Sequence, residues 1–231
     1  MNISLVQLSP ATGEIDKNII SHVKWIEKAA SEHSELVIFP ELSLTGYEPT
    51  LAKELSITKD DPRLKVFQQL SDNKAIIIAI GAPLQGATGT SISLLIFHPK
   101  KEVQVYSKQF LHADELPFFV PGISRSLLID DTAIGLAICY EISVGEHIKN
   151  VMATHPSFFI SSVAKDQNGV INAYQKLSEI ANKNKLPVAM VNCVGEADGV
   201  QFAGKSAFWD DQGNLVQQLD NHAEGILSMK I

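Results

Sequence analysis

IGLAICYE, residues 134–141, is a run of apolar and small residues that ends on a thiol and, two positions later, a carboxylate. Apolar side chains at successive positions predict a strand over 133–139 covered on both faces, as strands between helical layers are. The segments after it alternate in period. A helix is expected over 143–153 and a strand over 157–163. Ile171, Tyr174, Leu177 and Ala181 then mark one stripe of a further helix, and 188–194 reads as another buried strand. The same alternation runs before the stretch. Residues 2–8 read as a strand, and Ile15, Ile19, Val23, Ile26 and Ala30 share one helical face. A strand follows over 36–39. Asp61-Pro62 opens a helix with Leu64, Phe67 and Leu70 inward, and 75–81 reads as a strand. Short strands are expected over 91–97, 103–110 and 126–129, and hairpins with a turn at Gly213-Asn214 at the end. This mixture predicts α/β layers and leaves the topology open. No repeat or Pro/Gly-rich linker interrupts the chain, so residues 1–231 are expected to form one domain.

Composition narrows the function. Hydrophobic residues make up 45% and charged residues 19%, which excludes a disordered chain. Lys and Arg number 19 against 26 Asp and Glu, a net charge of −7, so no surplus exists for a basic nucleic-acid face. The apolar run over 75–82 falls far short of the ~20 residues that span a bilayer, and the N-terminus lacks the pattern of a signal peptide. Cys139 and Cys193 cannot make a disulfide framework, and no Cys/His spacing suits a metal. A cytoplasmic protein with neither metal nor membrane partner is expected.

Familiar catalytic motifs are missing. There is no GxSxG elbow and no HExxH, and the glycines of GAPLQGAT (residues 81–88) lack the lysine of a phosphate-binding loop. The seven histidines show no ligand spacing. Three polar residues stand out in or after apolar strands instead: Glu41 after LVIFP, Lys108 within VQVYSKQF, and Cys139 after IGLAI. Charged groups there are costly unless paired or open to a cleft, and strand ends are where α/β proteins place reactive groups. A carboxylate, an ammonium and a thiol can together carry out acyl transfer. Each alone has a blander reading: a buried small hydrophobe for the cysteine, a solvated strand residue for the lysine, a cap for the glutamate.

The surrounding sequences go further. FPELSLTGYEP (residues 39–49), YSKQFLHADELPFFVPG (106–122) and IGLAICYE (134–141) resemble the three signature segments of the carbon–nitrogen hydrolase, or nitrilase, superfamily, in the family's order. NCVG (192–195) and FAGKS (202–206) resemble its later segments, so the likeness covers nearly the whole chain.

That resemblance implies a four-layer α-β-β-α sandwich. It implies Cys139 as nucleophile, Glu41 as general base, Lys108 beside the oxyanion, and Glu115 as a second glutamate positioning the lysine or the leaving amine. Tyr140, through its backbone N–H, and Tyr47, Phe119 and Lys165 are expected around the substrate. A thiol of pKa about 8.5 is mostly protonated at neutral pH, so Glu41 must take its proton as attack occurs. The expected product is a thioester on Cys139 that water then releases, with no cofactor. The expected activity is hydrolysis of a small linear amide or ureide; the alternatives are a nitrilase, an amide-dependent acyltransferase, or a non-catalytic binding protein that kept the fold. The branch with membrane helices and the glutaminase branch fused to a synthetase both need residues not found among these. Residues 142–146 lack the arginine that often follows the cysteine motif, which leaves the substrate open. A homodimer through a helical face is also expected from the family.

Overall fold

In the computed structural model, which describes residues 1–124 and 126–231, the chain sets down a parallel three-strand unit twice. The first part contains β1 (Asn2–Gln7), α1 (Ile15–Ser31), β2 (Leu36–Ile38), α2 (Ala52–Leu55), α3 (Lys65–Lys74), β3 (Ile77–Gln85), β4 (Thr90–Phe97) and β5 (Gln104–Ser107). The second contains β6 (Leu128–Ile129), β7 (Ile134–Ile138), α4 (Gly145–Met152), β8 (Phe158–Ser162), α5 (Gln167–Asn184) and β9 (Val188–Val191). Then come β10 (Val194–Ala197), β11 (Val200–Ala203), β12 (Ala207–Trp209), β13 (Leu215–Gln218) and β14 (Gly225–Lys230). One six-stranded sheet has the order β14-β1-β2-β3-β4-β5 and the other β13-β12-β9-β8-β7-β6, with β10 and β11 a separate hairpin. In each sheet three consecutive strands run parallel, β1-β2-β3 and β7-β8-β9, and antiparallel strands flank them.

The alternation within each strand sorts its side chains into layers. Ile3, Leu5, Leu36, Ile38, Ile92 and Leu94 of one sheet meet Ile134, Leu136, Ile138, Phe158, Ile160 and Val191 of the other in a single apolar seam. The outer face of the first sheet, with Val37, Ile78, Ile80 and Leu95, packs under α1 and α3 through Ile26, Ala29 and Phe67. The outer face of the second packs under α5 through Val170, Ala173, Leu177 and Ala181. This is the expected α-β-β-α sandwich. Packing holds the helices more than capping does. Glu14 gives α1 no side-chain cap, a loss of about 1 kcal/mol, whereas burying a residue the size of Ile26 contributes about 1.5–3 kcal/mol.

Several boundaries differ from the sequence reading. β3 begins at Ile77 because Ala75 takes a left-handed conformation, φ 53°, that ends α3. β5 stops at Ser107, so Lys108 lies just past the strand: its N–H reaches the Ile92 carbonyl, and its own carbonyl accepts from Gly122. The strand expected over 188–194 breaks at Asn192, after which Val194 donates to Leu8 beyond the end of β1.

Candidate active site

Chain direction decides what meets. β3 and β5 both pair antiparallel with β4, so β5 runs the same way as β2 and β3. Residues just past the ends of β2 and β5 therefore emerge at one edge of the first sheet. Glu41 and Lys108 are those residues, and the opposing sheet supplies Cys139 just past β7. Crevices outside the carboxyl ends of parallel strands are the usual place for α/β sites.

Two close approaches hold the loops there. A Cβ on Gly81 of β3 would sit 2.3 Å from the Pro40 carbonyl and 2.5 Å from the Leu42 nitrogen, so only glycine lets the Glu41 turn lie on that strand. A Cβ on Gly122 would meet Ser107 at 2.2 Å, which keeps the chain tight against the Lys108 backbone. Cys139 opens a single turn of 3-10 helix, Cys139–Ser143, with φ 47°. Non-glycine residues rarely adopt that conformation, and backbone strain of this kind clusters at functional sites.

Lys108 is fully buried, and its ammonium donates to Glu41 Oε1 at 2.7 Å and to Glu115 Oε1 at 2.6 Å. The two carboxylates are not equivalent. Glu115 has both oxygens engaged: Oε1 also accepts from the Tyr47 hydroxyl at 3.1 Å, and Oε2 accepts from the His112 N–H at 2.7 Å. Glu41 has one oxygen on Lys108 and the other, Oε2, buried with no hydrogen-bond partner among the described residues.

The electrostatics follow from that asymmetry. Burial raises the Glu41 pKa above the usual carboxylate value, opposed by the Lys108 charge and reinforced by Glu115. Burial would lower the Lys108 pKa, but the charges of Glu41, Cys139 and Glu115 outweigh it and keep the ammonium protonated. Cys139 is half-buried, and desolvation followed by the Glu41 charge pushes its thiol up to about 11, with Lys165 and then Lys108 opposing. The resting thiol is therefore protonated at neutral pH. A protonated thiol beside a carboxylate with an unoccupied oxygen is an arrangement for proton transfer during nucleophilic attack.

The other expected residues take different places. Tyr47 backs Glu115 and stacks edge-on against Phe202, with ring centroids 6.2 Å apart. Tyr140 is 37% exposed and meets His112 edge-on at 5.2 Å. Phe119 belongs to the inter-sheet core, and its N–H donates to the Glu115 carbonyl, so it anchors the loop that carries Glu115. Lys165 lies three residues beyond β8, beside the Cys139 turn. Sequence reasoning passed over Glu141. This fully buried carboxylate accepts from Ile138 N and the Tyr106 hydroxyl through Oε2, and from Gln109 N through Oε1, each at 2.7 Å. The available signal was a second charged residue immediately after an apolar strand. Among the described residues no cluster of His, Cys, Asp and Glu could hold a metal ion, and no helix is long and apolar enough to cross a membrane.

Two helix-covered sheets with these groups at their seam define an α-β-β-α sandwich hydrolase. Residues 2–231 match the family model described as carbon-nitrogen hydrolase, and the chain belongs to that family, whose enzymes act on C–N bonds. Over its whole length it is 28% identical to a glutamine-dependent NAD(+) synthetase of Aquifex aeolicus, of which it spans 42%. It is 25% identical to a nitrilase of Pyrococcus abyssi, with 98% of this chain and 87% of that one covered. At 21% identity it superimposes with a TM-score of 0.87 on a mutant amidase from Nesterenkonia sp. AN1, over 100% of this chain and 90% of that one. In that amidase the active-site cysteine carries the acetamide moiety of fluoroacetamide; the likeness establishes the shared fold.

Proposed function

We propose that the protein hydrolyses a small linear amide or ureide through a thioester on Cys139. The Sγ attacks the carbonyl carbon while its proton passes to Glu41 Oε2. The developing oxyanion is stabilised by Lys108 and by the backbone N–H of Tyr140; losing one such donor typically costs about 3–4 kcal/mol of barrier. Glu41 returns the proton to the departing nitrogen, the C–N bond breaks, and ammonia or an amine leaves. Water then gives its proton to Glu41 and attacks the thioester, releasing the acid and restoring the thiol. Glu115, with both oxygens engaged by three donors, positions Lys108 and Tyr47. The observation that carries this reading is the unpartnered Oε2 of Glu41 beside a protonated thiol.

The cysteine adduct in the Nesterenkonia amidase and the similarity to glutamine-dependent synthetases favour an amide over a nitrile. The test is acid-quenched intact-protein mass spectrometry after mixing with a panel of small amides and ureides, with ammonia release followed in parallel. A mass increment on Cys139 that is absent from Cys139→Ala supports the mechanism. Undiminished ammonia release by equally folded Cys139→Ala would overturn it. Pairing into a homodimer belongs to the same proposal, and a light-scattering mass equal to one 25.2 kDa chain at working concentration would remove it.

A further inference from the structure

β10 and β11 form a two-stranded sheet of their own, apart from both six-stranded sheets. Val194 lies opposite Ala203 and Ala197 opposite Val200, and Asp198 (φ 50°) with Gly199 (φ 68°) makes the turn. Two left-handed residues of the Asp-Gly kind suit a tight hairpin, and a hairpin without a third strand is marginally stable by itself. What holds it differs between its two ends.

The base is anchored. Val194 N donates to Leu8 O at 3.0 Å, Ala203 N to Lys165 O at 3.0 Å and Gly204 N to Cys193 O at 2.9 Å. Buried Asn192 donates through Nδ2 to Gly204 O at 2.8 Å. The backbone is also tightly seated: a Cβ on Gly195 would meet Ser9 Oγ at 2.2 Å, and one on Gly204 would meet Gln7 Nε2 at 2.7 Å. The far end has a single hydrogen bond to the rest of the chain among the described residues, from Asp198 N to Glu48 Oε1 at 3.0 Å. Between the ends the inner face, Ala197 and Phe202, packs with Cys193, Tyr47 and Ala164 in a small apolar cluster. Glu196, Val200 and Gln201 are exposed on the other face.

That cluster borders the catalytic groups. Phe202 meets the Tyr47 ring edge-on, and the Tyr47 hydroxyl donates to Glu115, which holds Lys108. Burial first, then the charges of Glu41, Glu115 and Cys139, raise the Tyr47 pKa, so its hydroxyl lies within reach of all three. Glu48 follows Tyr47 directly. Its carbonyl accepts from Leu51 N at 3.0 Å, and Pro49 beside it is buried, so its stem is fixed. One short stretch of chain therefore carries both the ring that the hairpin packs on and the carboxylate that holds the hairpin tip.

We propose that β10–β11 is a flap over the cleft and that Glu48 is its latch, a positioning residue that acts through the hairpin. With the latch made, Phe202 seats Tyr47 on Glu115, and bulk water is kept from the catalytic groups, which strengthens their mutual interactions. With it broken, the hairpin swings on its anchored base, Ala197 and Phe202 leave the cluster, and substrate or product passes. The chemistry in the cleft rests on the hydrolase reading above, whereas the flap is tested without turnover.

Cys193 supplies the reporter. It is 2% exposed under the hairpin, and burial pushes its thiol pKa well above the ordinary value, so it reacts when the hairpin lifts. The experiment treats wild type, Glu48→Ala and Glu48→Gln with iodoacetamide, reads Cys139 and Cys193 separately by peptide mass, and follows amide hydrogen exchange over residues 193–204. Glu48→Ala should speed exchange of this segment and labelling of Cys193 by about 10-fold, and labelling of Cys139 by about 3-fold, at an unchanged urea midpoint. Glu48→Gln keeps a carbonyl oxygen for the Asp198 N–H and should restore most of each rate. Unchanged exchange in Glu48→Ala, or a Gln variant as fast as the Ala variant, would overturn the latch. Faster exchange spread over the whole chain with a lowered urea midpoint would overturn it too, leaving Glu48 a general stabiliser. Faster labelling of Cys193 with Cys139 unaffected would overturn the flap, since the hairpin would then open without uncovering the site. Failure of the hydrolase reading looks different. Exchange and labelling would respond to Glu48 as stated while no amide of the panel released ammonia.

Discussion

Glu41 and Glu115 touch the same ammonium within 0.1 Å of equal distance, yet they cannot exchange roles. Glu115 has no unoccupied oxygen, while Glu41 keeps Oε2 and a raised pKa. A general base with a raised pKa is a better proton acceptor, and it becomes inactive at a higher pH than an ordinary carboxylate. Activity is therefore expected to fall on the acid side with an apparent pKa above the ordinary glutamate value of 4.5, as Glu41 takes up its proton. Glu41→Gln should lower kcat/KM by about 10²–10⁴-fold and abolish that acid limb. A pH–rate profile of the two proteins checks both, and an unchanged limb in the variant would assign it to another group. The three polar residues could be picked out of the sequence because each interrupts or ends an apolar run. The family resemblance implies Glu41 as the base, but the physical ground for that choice could not be read from the residues alone. That depends on how many donors each oxygen meets, and those donors come from Tyr47 and His112 on separate stretches of the loops.

Helix α1 supports this site from behind. His22, fully buried on it, uses Nδ1 to donate to the Asn18 carbonyl at 2.6 Å, which leaves Nε2 to accept from the Ser43 hydroxyl at 3.0 Å in the Glu41 turn. Burial lowers its pKa from 6.5 to about 4, against the opposing Asn18 hydrogen bond. The unfolded chain then binds the proton first, so this contribution to stability is complete above pH 6.5 and is lost as pH falls towards 4. The loss is about 2–3 kcal/mol between pH 7 and 4.5. Urea unfolding of His22→Gln should show a shallower pH dependence than wild type by about that amount, and parallel curves would rule His22 out as the source. Element existence was legible because α1, α5 and the strands repeat at 3.6 or run apolar without a break. Element ends were less so. β5 stops at Ser107 and β9 at Val191 because hydrogen bonds to distant chain, Gly122 and Leu8, pull the backbone aside, and no local pattern encodes those partners. The pairing of β14 with β1, Asn2 opposite Lys230, is similarly a property of the closed sheet.

At the scale of the molecule the site is a seam, since the lysine and both glutamates come with one sheet and the thiol with the other. Apolar packing alone holds the two sheets together but tolerates sliding, because dispersion contacts have little direction. Directional tethers set the register. Ser162 of β8 donates to the Phe39 carbonyl at 2.9 Å, two residues before Glu41. Glu141 is the stronger tether. It holds Ile138 N just before the cysteine, and from the opposite sheet it takes the Tyr106 hydroxyl and the N–H of Gln109, the residue after Lys108. One carboxylate thereby fixes the thiol relative to the ammonium, and its ionised form is needed to accept all three bonds. Glu141→Gln presents one acceptor oxygen in place of two and turns an NH₂ toward a donor. Hydrogen bonds to a charged group contribute about 1.5–3 kcal/mol each, so the variant should lose about that much stability. Its kcat should fall with little change in KM, because displacing the thiol from the ammonium harms the transition state more than ground-state binding. Glu141→Asp, which keeps both oxygens on a shorter stem, should recover part of the kcat. A Glu141→Gln enzyme that lost stability but kept wild-type kcat would show that the sheets hold the catalytic register without this tether.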